Sequence, residues 1–174
     1  MRFSALAVLL LAACQAAKDL PTGSLVREEH PDYAKFRPVA IGVLRFEAPR
    51  GYLRDETRQE VYQGLFQHRY SPLALDVVDA HTESTGEFKP TLLEWDATLT
   101  VSVKKWRALR GGAYFAADGS ARLIHKSGEV LWQLSFQDQA FEVPSGKDGH
   151  ERAARSLGKL IVSRMPPLPP PPRE

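Results

Sequence analysis

The side chains able to do chemistry are few, and most are widely spaced. The one thiol, Cys14, follows Leu11-Ala12-Ala13. A thiolate is a strong nucleophile, and the small residues before it leave the backbone open to an enzyme that acts there. The histidines His30, His68, His81, His125 and His150 include no i, i+4 pair and have no cysteine partner, so no metal site is expected. His125 precedes a turn and reads as a strand-end residue. Asp76 and Asp79 lie three apart, and Glu94 and Asp96 flank Trp95. A two-carboxylate hydrolase would need such groups to face each other across a cleft, and solvated strand ends account for these better. Neither a Gly-x-Ser-x-Gly elbow nor a Gly-rich phosphate loop occurs, and Gly111-Gly112 reads as a turn. The densest cluster is Lys104-Lys105-Trp106-Arg107, with Arg110 beyond it. Cations around an indole suit a lipid headgroup, a glycan or a protein partner, while a charged strand end also protects a sheet edge. Lys104, Lys105, Trp106 and Arg107 are the candidate partner-binding residues.

The surroundings of Cys14 give the thiol its chemistry. Met1-Arg2-Phe3-Ser4 is a short positive stretch, followed by an uncharged apolar run from Ala5 to Ala13. That run has the length of a signal-peptide core and falls well short of the roughly 20 apolar residues a membrane span needs. Leu11-Ala12-Ala13-Cys14 resembles the lipobox of bacterial lipoproteins. The resemblance implies cleavage before Cys14 and lipidation of its sulfur, palmitate included; the alternative is an ordinary secretory signal with an incidental cysteine. Acyl chains contribute about 0.8 kcal/mol per buried CH2, and a second chain turns marginal membrane binding into stable anchoring. In the common sorting rule an Asp after the cysteine retains the protein in the inner membrane. Gln15 therefore points to the outer membrane, with the domain facing the periplasm.

Without its signal the chain has the size of one ordinary domain, large enough for a core without disulfides or metals. A lone cysteine permits no internal disulfide. The formal net charge is +2 over the whole sequence, and Arg2 would leave with the signal. So small an excess argues against a nucleic-acid partner.

The elements that must position these residues follow from periodicity. Residues 14–37 are polar with Pro21, Gly23 and Pro31, and read as the lipidated cysteine and a flexible linker. Pro38 to Phe46 is nearly continuously apolar, as in a central strand. A helix is expected over about Asp55–His68, capped at Asp55 or by a Thr57/Glu60 capping box. A second strand is expected over Leu73–Val78, then a loop from Asp79 to Pro90 with room for a short helical turn. Ala97, Leu99, Val101 and Val103 alternate with polar residues, as do Val130, Trp132, Leu134 and Phe136. Between them a strand from Ala113 to about His125 is expected to be irregular at Asp118-Gly119, and Ser127-Gly128 marks a hairpin. These strands form an antiparallel meander, with Trp132 in the core. The last helix, about Asp148–Arg164, carries the apolar stripe Ala153, Ala154, Leu157, Leu160, Ile161 and Met165. Its Arg152, Arg155 and Lys159 row is solvated, and Pro166-Pro167 ends it. A Pro-rich tail, 166–174, follows.

A lipobox, a strand of the type Pro38-Val39-Ala40-Ile41-Gly42-Val43-Leu44, a helix, a meander and a final amphipathic helix resemble one group of periplasmic lipoproteins. It includes the curli-secretion channel lipoprotein and the lipoprotein activators of penicillin-binding proteins, with a domain like the amino-terminal domain of TolB. The most specific match is Ser120-Ala121-Arg122-Leu123-Ile124 followed by Gly128-Glu129-Val130-Leu131-Trp132. The chain departs from the group in its short segment between the second and third strands. It also lacks long membrane-inserting hairpins, so pore formation does not carry over. The resemblance implies a non-enzymatic accessory protein working through protein contacts.

The resulting expectation is an α/β (α+β) two-layer sandwich in the order β-α-β-β-β-β-α. A mixed sheet of about five strands carries two helices on one face, in a single domain over 38–165. The expected function is that of a membrane-anchored accessory or assembly factor for an envelope complex. It needs no cofactor, its partners are the membrane and an envelope protein, and a homo-oligomer is compatible with it. The alternative is a glycan- or lipid-binding module using Trp106 with Lys104, Lys105 and Arg107.

Overall fold

The structure, a computed structural model, describes residues 23–85, 94–143, 148–168 and 170. Its strands are β1 (Ser24–Glu29), β2 (Ala40–Val43), β3 (Ser71–Pro72), β4 (Ala97–Leu109), β5 (Tyr114–His125) and β6 (Val130–Glu142). Its helices are α1 (Tyr33–Phe36), α2 (Gly51–Gln67), α3 (Leu75–Thr85) and α4 (Gly149–Arg164), and a short 3-10 turn covers Arg110–Gly112. The strands form one six-stranded sheet in the order β1-β6-β5-β4-β2-β3. β2 runs parallel to β3 and β4, and the pairs β4–β5, β5–β6 and β6–β1 are antiparallel. This is the expected mixed α+β class, with six strands where about five were expected and, among the described residues, four helices where two were expected.

Alternation decides which face of the meander is covered. Leu99, Val101 and Val103 of β4, Ala121 and Leu123 of β5, and Trp132, Leu134 and Phe136 of β6 are buried in one cluster. Leu53, Val61 and Leu65 of α2 and Ala154, Leu157 and Ile161 of α4 complete it. Trp132 is fully buried, and its indole N–H donates to the Arg164 carbonyl at 3.0 Å. The two helices cross closely because glycines stand at the contact. A Cβ on Gly158 would lie 2.7 Å from Glu60 Cβ, and one on Gly64 would lie 2.8 Å from a Val162 methyl. The opposite face of the sheet is polar, with Thr100, Ser102, Ser120, Arg122 and Ser135 along its middle strands.

Several sequence expectations are corrected. Ser24–Glu29, assigned to the linker, is the edge strand β1, paired to β6 from Ser24↔Gln137 to Glu29↔Trp132. Its sparse apolar content fits an edge strand with little to bury. The domain therefore begins before residue 38. Leu73–Val78 is not a strand: pairing stops at Ser71–Pro72, and α3 begins at Leu75. Leu-Ala-Leu-Asp-Val-Val suits either period over so short a run. The expected loop from Asp79 is helical to Thr85, and its remainder lies outside the described residues. The central strand shortens to Ala40–Val43.

α2 starts four residues earlier than expected, after Arg50 in extended conformation. Thr57 is thus inside the helix, where its buried hydroxyl donates to the Ala154 carbonyl at 3.0 Å instead of capping. At the other end, the Pro-rich segment does not leave the domain at residue 166. Leu168 is buried, and its N–H donates to the His68 carbonyl at 3.1 Å.

Candidate functional site

Lys104, Lys105, Trp106 and Arg107 lie where the meander breaks register. Val103 pairs with Gly119 but Lys105 pairs with Asp118, so Lys104 is the extra residue of a β-bulge. The neighbouring pair slips at the same level, between Ala117 and Gly119, against β6. The irregularity expected at Asp118-Gly119 is thus part of a break shared by three strands. A bulge adds one residue and re-aims the side chains beyond it. Before the bulge odd-numbered residues of β4 face the helices; after it Trp106 does.

Charges pin the bulge. Lys105 Nζ is 3.2 Å from Asp118, and Arg107 is ion-paired to Asp138. Asp118 also accepts the Asp138 backbone N–H at 2.7 Å. That N–H, with Lys105 and Arg107, holds the Asp118 carboxyl below the usual aspartate range against a small desolvation effect. Asp138 itself has a φ of 48°, in the left-handed region that Asp tolerates better than most side chains.

The cluster is therefore divided. Trp106 is half-buried and stacks on Phe115, with ring centroids 5.3 Å apart. Phe115, Val143 and Ala153 form a small second core beneath it. Its indole N–H donates to Tyr52 Oη at 3.1 Å, and Tyr52 Oη lies 3.0 Å from His150 Nδ1. The cations stay outside. Lys104, Lys105 and Arg107 join Arg50 and Pro49 around a shallow depression whose lining contains no acid. Neither Lys104 nor Arg50 has a carboxylate partner among the described residues. Sequence reading missed Arg50, which Pro49-Arg50-Gly51 disguises as a simple strand break. It also missed Arg122, whose placement between Ala121 and Leu123 puts it on the polar sheet face.

Asp79, Asp96, His30 and His125 have structural partners. Asp79 is not beside a strand but on α3, where it meets Arg58 at 2.8 Å. Arg58 is 7% exposed and also donates twice to the Val43 carbonyl, at 3.1 and 2.7 Å. Burial pushes the Asp79 carboxyl up, but Arg58 and Arg45 together outweigh it and hold it below the ordinary value. Asp96 accepts the backbone N–H groups of Val39 and Ala40, both at 2.9 Å, and so caps the start of β2. His30 and His125 both pack against Phe36. Ser127 Oγ lies 2.6 Å from His125 Nδ1 and also bonds Glu129. In a hydrolytic triad the acid and the serine occupy different ring nitrogens. Here both crowd the Nδ1 side within one turn, an arrangement that stabilises the hairpin. Among the described residues no three His, Cys, Asp or Glu side chains converge as metal ligands.

No protein-family model matches the chain, and no curated protein matches its sequence. Its fold is similar to solved structures. PelC from Paraburkholderia phytofirmans, a dodecamer, superposes with a TM-score of 0.54 at 16% identity, covering 82% of this chain and 96% of the PelC chain. A point variant of that dodecamer gives 0.55 at 17% identity, covering 82% and 97%. The lipoprotein GNA1162 from Neisseria meningitidis gives only 0.47 at 16% identity, covering 74% of this chain and 100% of its own. At such identities the PelC likeness establishes a shared fold, and the weaker one carries no argument.

Proposed function

We propose that the chain is a lipid-anchored protein of the bacterial envelope that acts without catalysis, as an accessory or assembly factor built from several copies of itself. The observation that carries the reading is the fold: nearly the whole PelC subunit is covered, and PelC is a dodecamer. Leu11-Ala12-Ala13-Cys14 supplies the anchor in this reading, and Gln15 its direction to the outer membrane. Among the described residues no helix is long and apolar enough to cross a membrane. The resemblance to the curli-secretion and penicillin-binding-protein-activator lipoproteins supports the same class of role, contact with an envelope protein.

Two measurements test this. Metabolic labelling with palmitate is expected to mark the wild type and not Cys14→Ala; equal labelling of both removes the anchor. Light scattering on the mature chain behind a sizing column is expected to give a multiple of the subunit mass; a monomer throughout the micromolar range removes self-assembly. A second reading, a lipid-binding module, is favoured by the acid-free depression at Arg50 and Lys104. A glycan platform on Trp106 is less favoured, because the ring stacks on Phe115 and its N–H is occupied by Tyr52.

A further inference from the structure

We infer that the depression formed by Arg50, Lys104, Lys105 and Arg107 docks on the phosphate headgroups of an anionic phospholipid surface beside the anchor. Its lining is Pro49, Trp106 and these cations. Two of the cations are spoken for. Lys105 and Arg107 pair with Asp118 and Asp138, but their side chains remain 70% and 50% exposed. Arg50 and Lys104 have no such partner among the described residues. With the two ion pairs counted, Arg50 and Lys104 still leave the cluster an excess of positive charge, which favours an anionic neighbour.

The tether selects the occupant. Gly23 lies against Gln139, beside the bulge: a Cβ there would be 2.7 Å from Gln139 Cα. The next residue, Ser24, shares the groove wall with Lys104 and Asp118. The chain thus enters the domain at the same level of the sheet as Lys104. Fully extended, the stretch from Cys14 to Gly23 reaches at most roughly 30 Å. The hairpin at Ser127-Gly128 lies about as far again along β6. A lipidated Cys14 therefore keeps the bulged end near the headgroups at high effective concentration. The inference rests on the anchor reading for this geometry, but the docking surface can be tested without the anchor.

The described core runs from Leu25 to Leu168, so the mature chain from residue 14 retains it. That chain, carrying Cys14→Ser and no acyl group, is sedimented with vesicles of phosphatidylcholine alone or mixed equally with phosphatidylglycerol. Binding is expected only to the mixed vesicles, and it should weaken as salt shortens the screening length. Each cation near an anionic bilayer is worth about fivefold in partitioning. Lys104→Ala and Arg50→Ala are each expected to lower it by about that factor, whereas Lys159→Ala on α4 leaves it unchanged. Circular dichroism melts confirm that the variants fold. Equal binding to both vesicle types, or an equal loss with Lys159→Ala, overturns the inference. So does saturable binding of inorganic phosphate with no vesicle binding, which would make the depression a small-anion site. Because the tested chain has no acyl group, failure here is distinct from failure of palmitate labelling.

Discussion

At the scale of single residues, the most demanding position is Arg58. Its guanidinium is withdrawn from water and compensated twice, by the Val43 carbonyl and by Asp79. Removing one partner of such a pair strands the other. Asp79 keeps some contact with solvent, which limits the penalty. Arg58→Met should therefore cost roughly 2 to 3 kcal/mol, read from urea unfolding at neutral pH; a loss below the error of that measurement would mean the pair is not formed. The pH dependence has a definite sign. The folded carboxyl titrates below its ordinary value of 3.8. Its contribution is thus present above that value and disappears as pH falls through the lower, folded value. Asp79→Asn should be less stable than wild type at neutral pH, with the gap closing in acid. A gap that stays constant into acid contradicts the assignment.

At the scale of elements, the α2–α4 contact depends on having almost no side chain at Gly158. An added methyl would press on Glu60 Cβ and stand 3.0 Å from the Thr57 carbonyl. Alanine gains up to about 1 kcal/mol in helix propensity, while forcing extra atoms into a packed contact costs about 1 to 3 kcal/mol. The clash should win, and Gly158→Ala should melt lower by a few degrees. Gly51→Ala has nothing within 4 Å of the new Cβ and should melt no lower than wild type; thermal denaturation of both decides. Element identity was legible wherever one face is buried over many residues. The meander announces itself through Leu99, Val101, Leu134 and Phe136, and α4 through its apolar stripe. Failures occurred where burial imposes no period. β1 needs little more than Leu25 turned inward, and the six residues before Asp79 satisfy helix and strand patterns alike. The candidate site was half legible. Its cations stand out in sequence, but the bulge that turns Trp106 inward, and the approach of Arg50 from another element, depend on pairing between distant strands.

At the scale of the molecule, a buried tyrosine pair joins the two ends of the described chain. Tyr33 of α1 bonds Tyr70 at the end of the α2 connection, and Tyr70 Oη donates to the Pro166 carbonyl at 2.6 Å. With Met165 and Leu168 against the core, residues 165–168 form a strap across the end of the domain. Burial raises the Tyr33 hydroxyl to about 12, and burial together with Tyr33 raises Tyr70 as well. The folded state therefore holds protons that the unfolded chain releases above its ordinary tyrosine value of 10.0. Stability is intact below that value and falls as pH rises through the folded one, by up to about 1.4 kcal/mol per pH unit for each tyrosine. Urea unfolding between neutral pH and pH about 11 should show this loss, and Tyr33→Phe should flatten it. Tyr70→Phe should be the more damaging change at neutral pH, by about 1 to 3 kcal/mol, because it leaves both the Tyr33 hydroxyl and the Pro166 carbonyl without the partner they share. If the two variants are equally stable at neutral pH, the strap is not held through Tyr70, and burial of Leu168 alone must secure it.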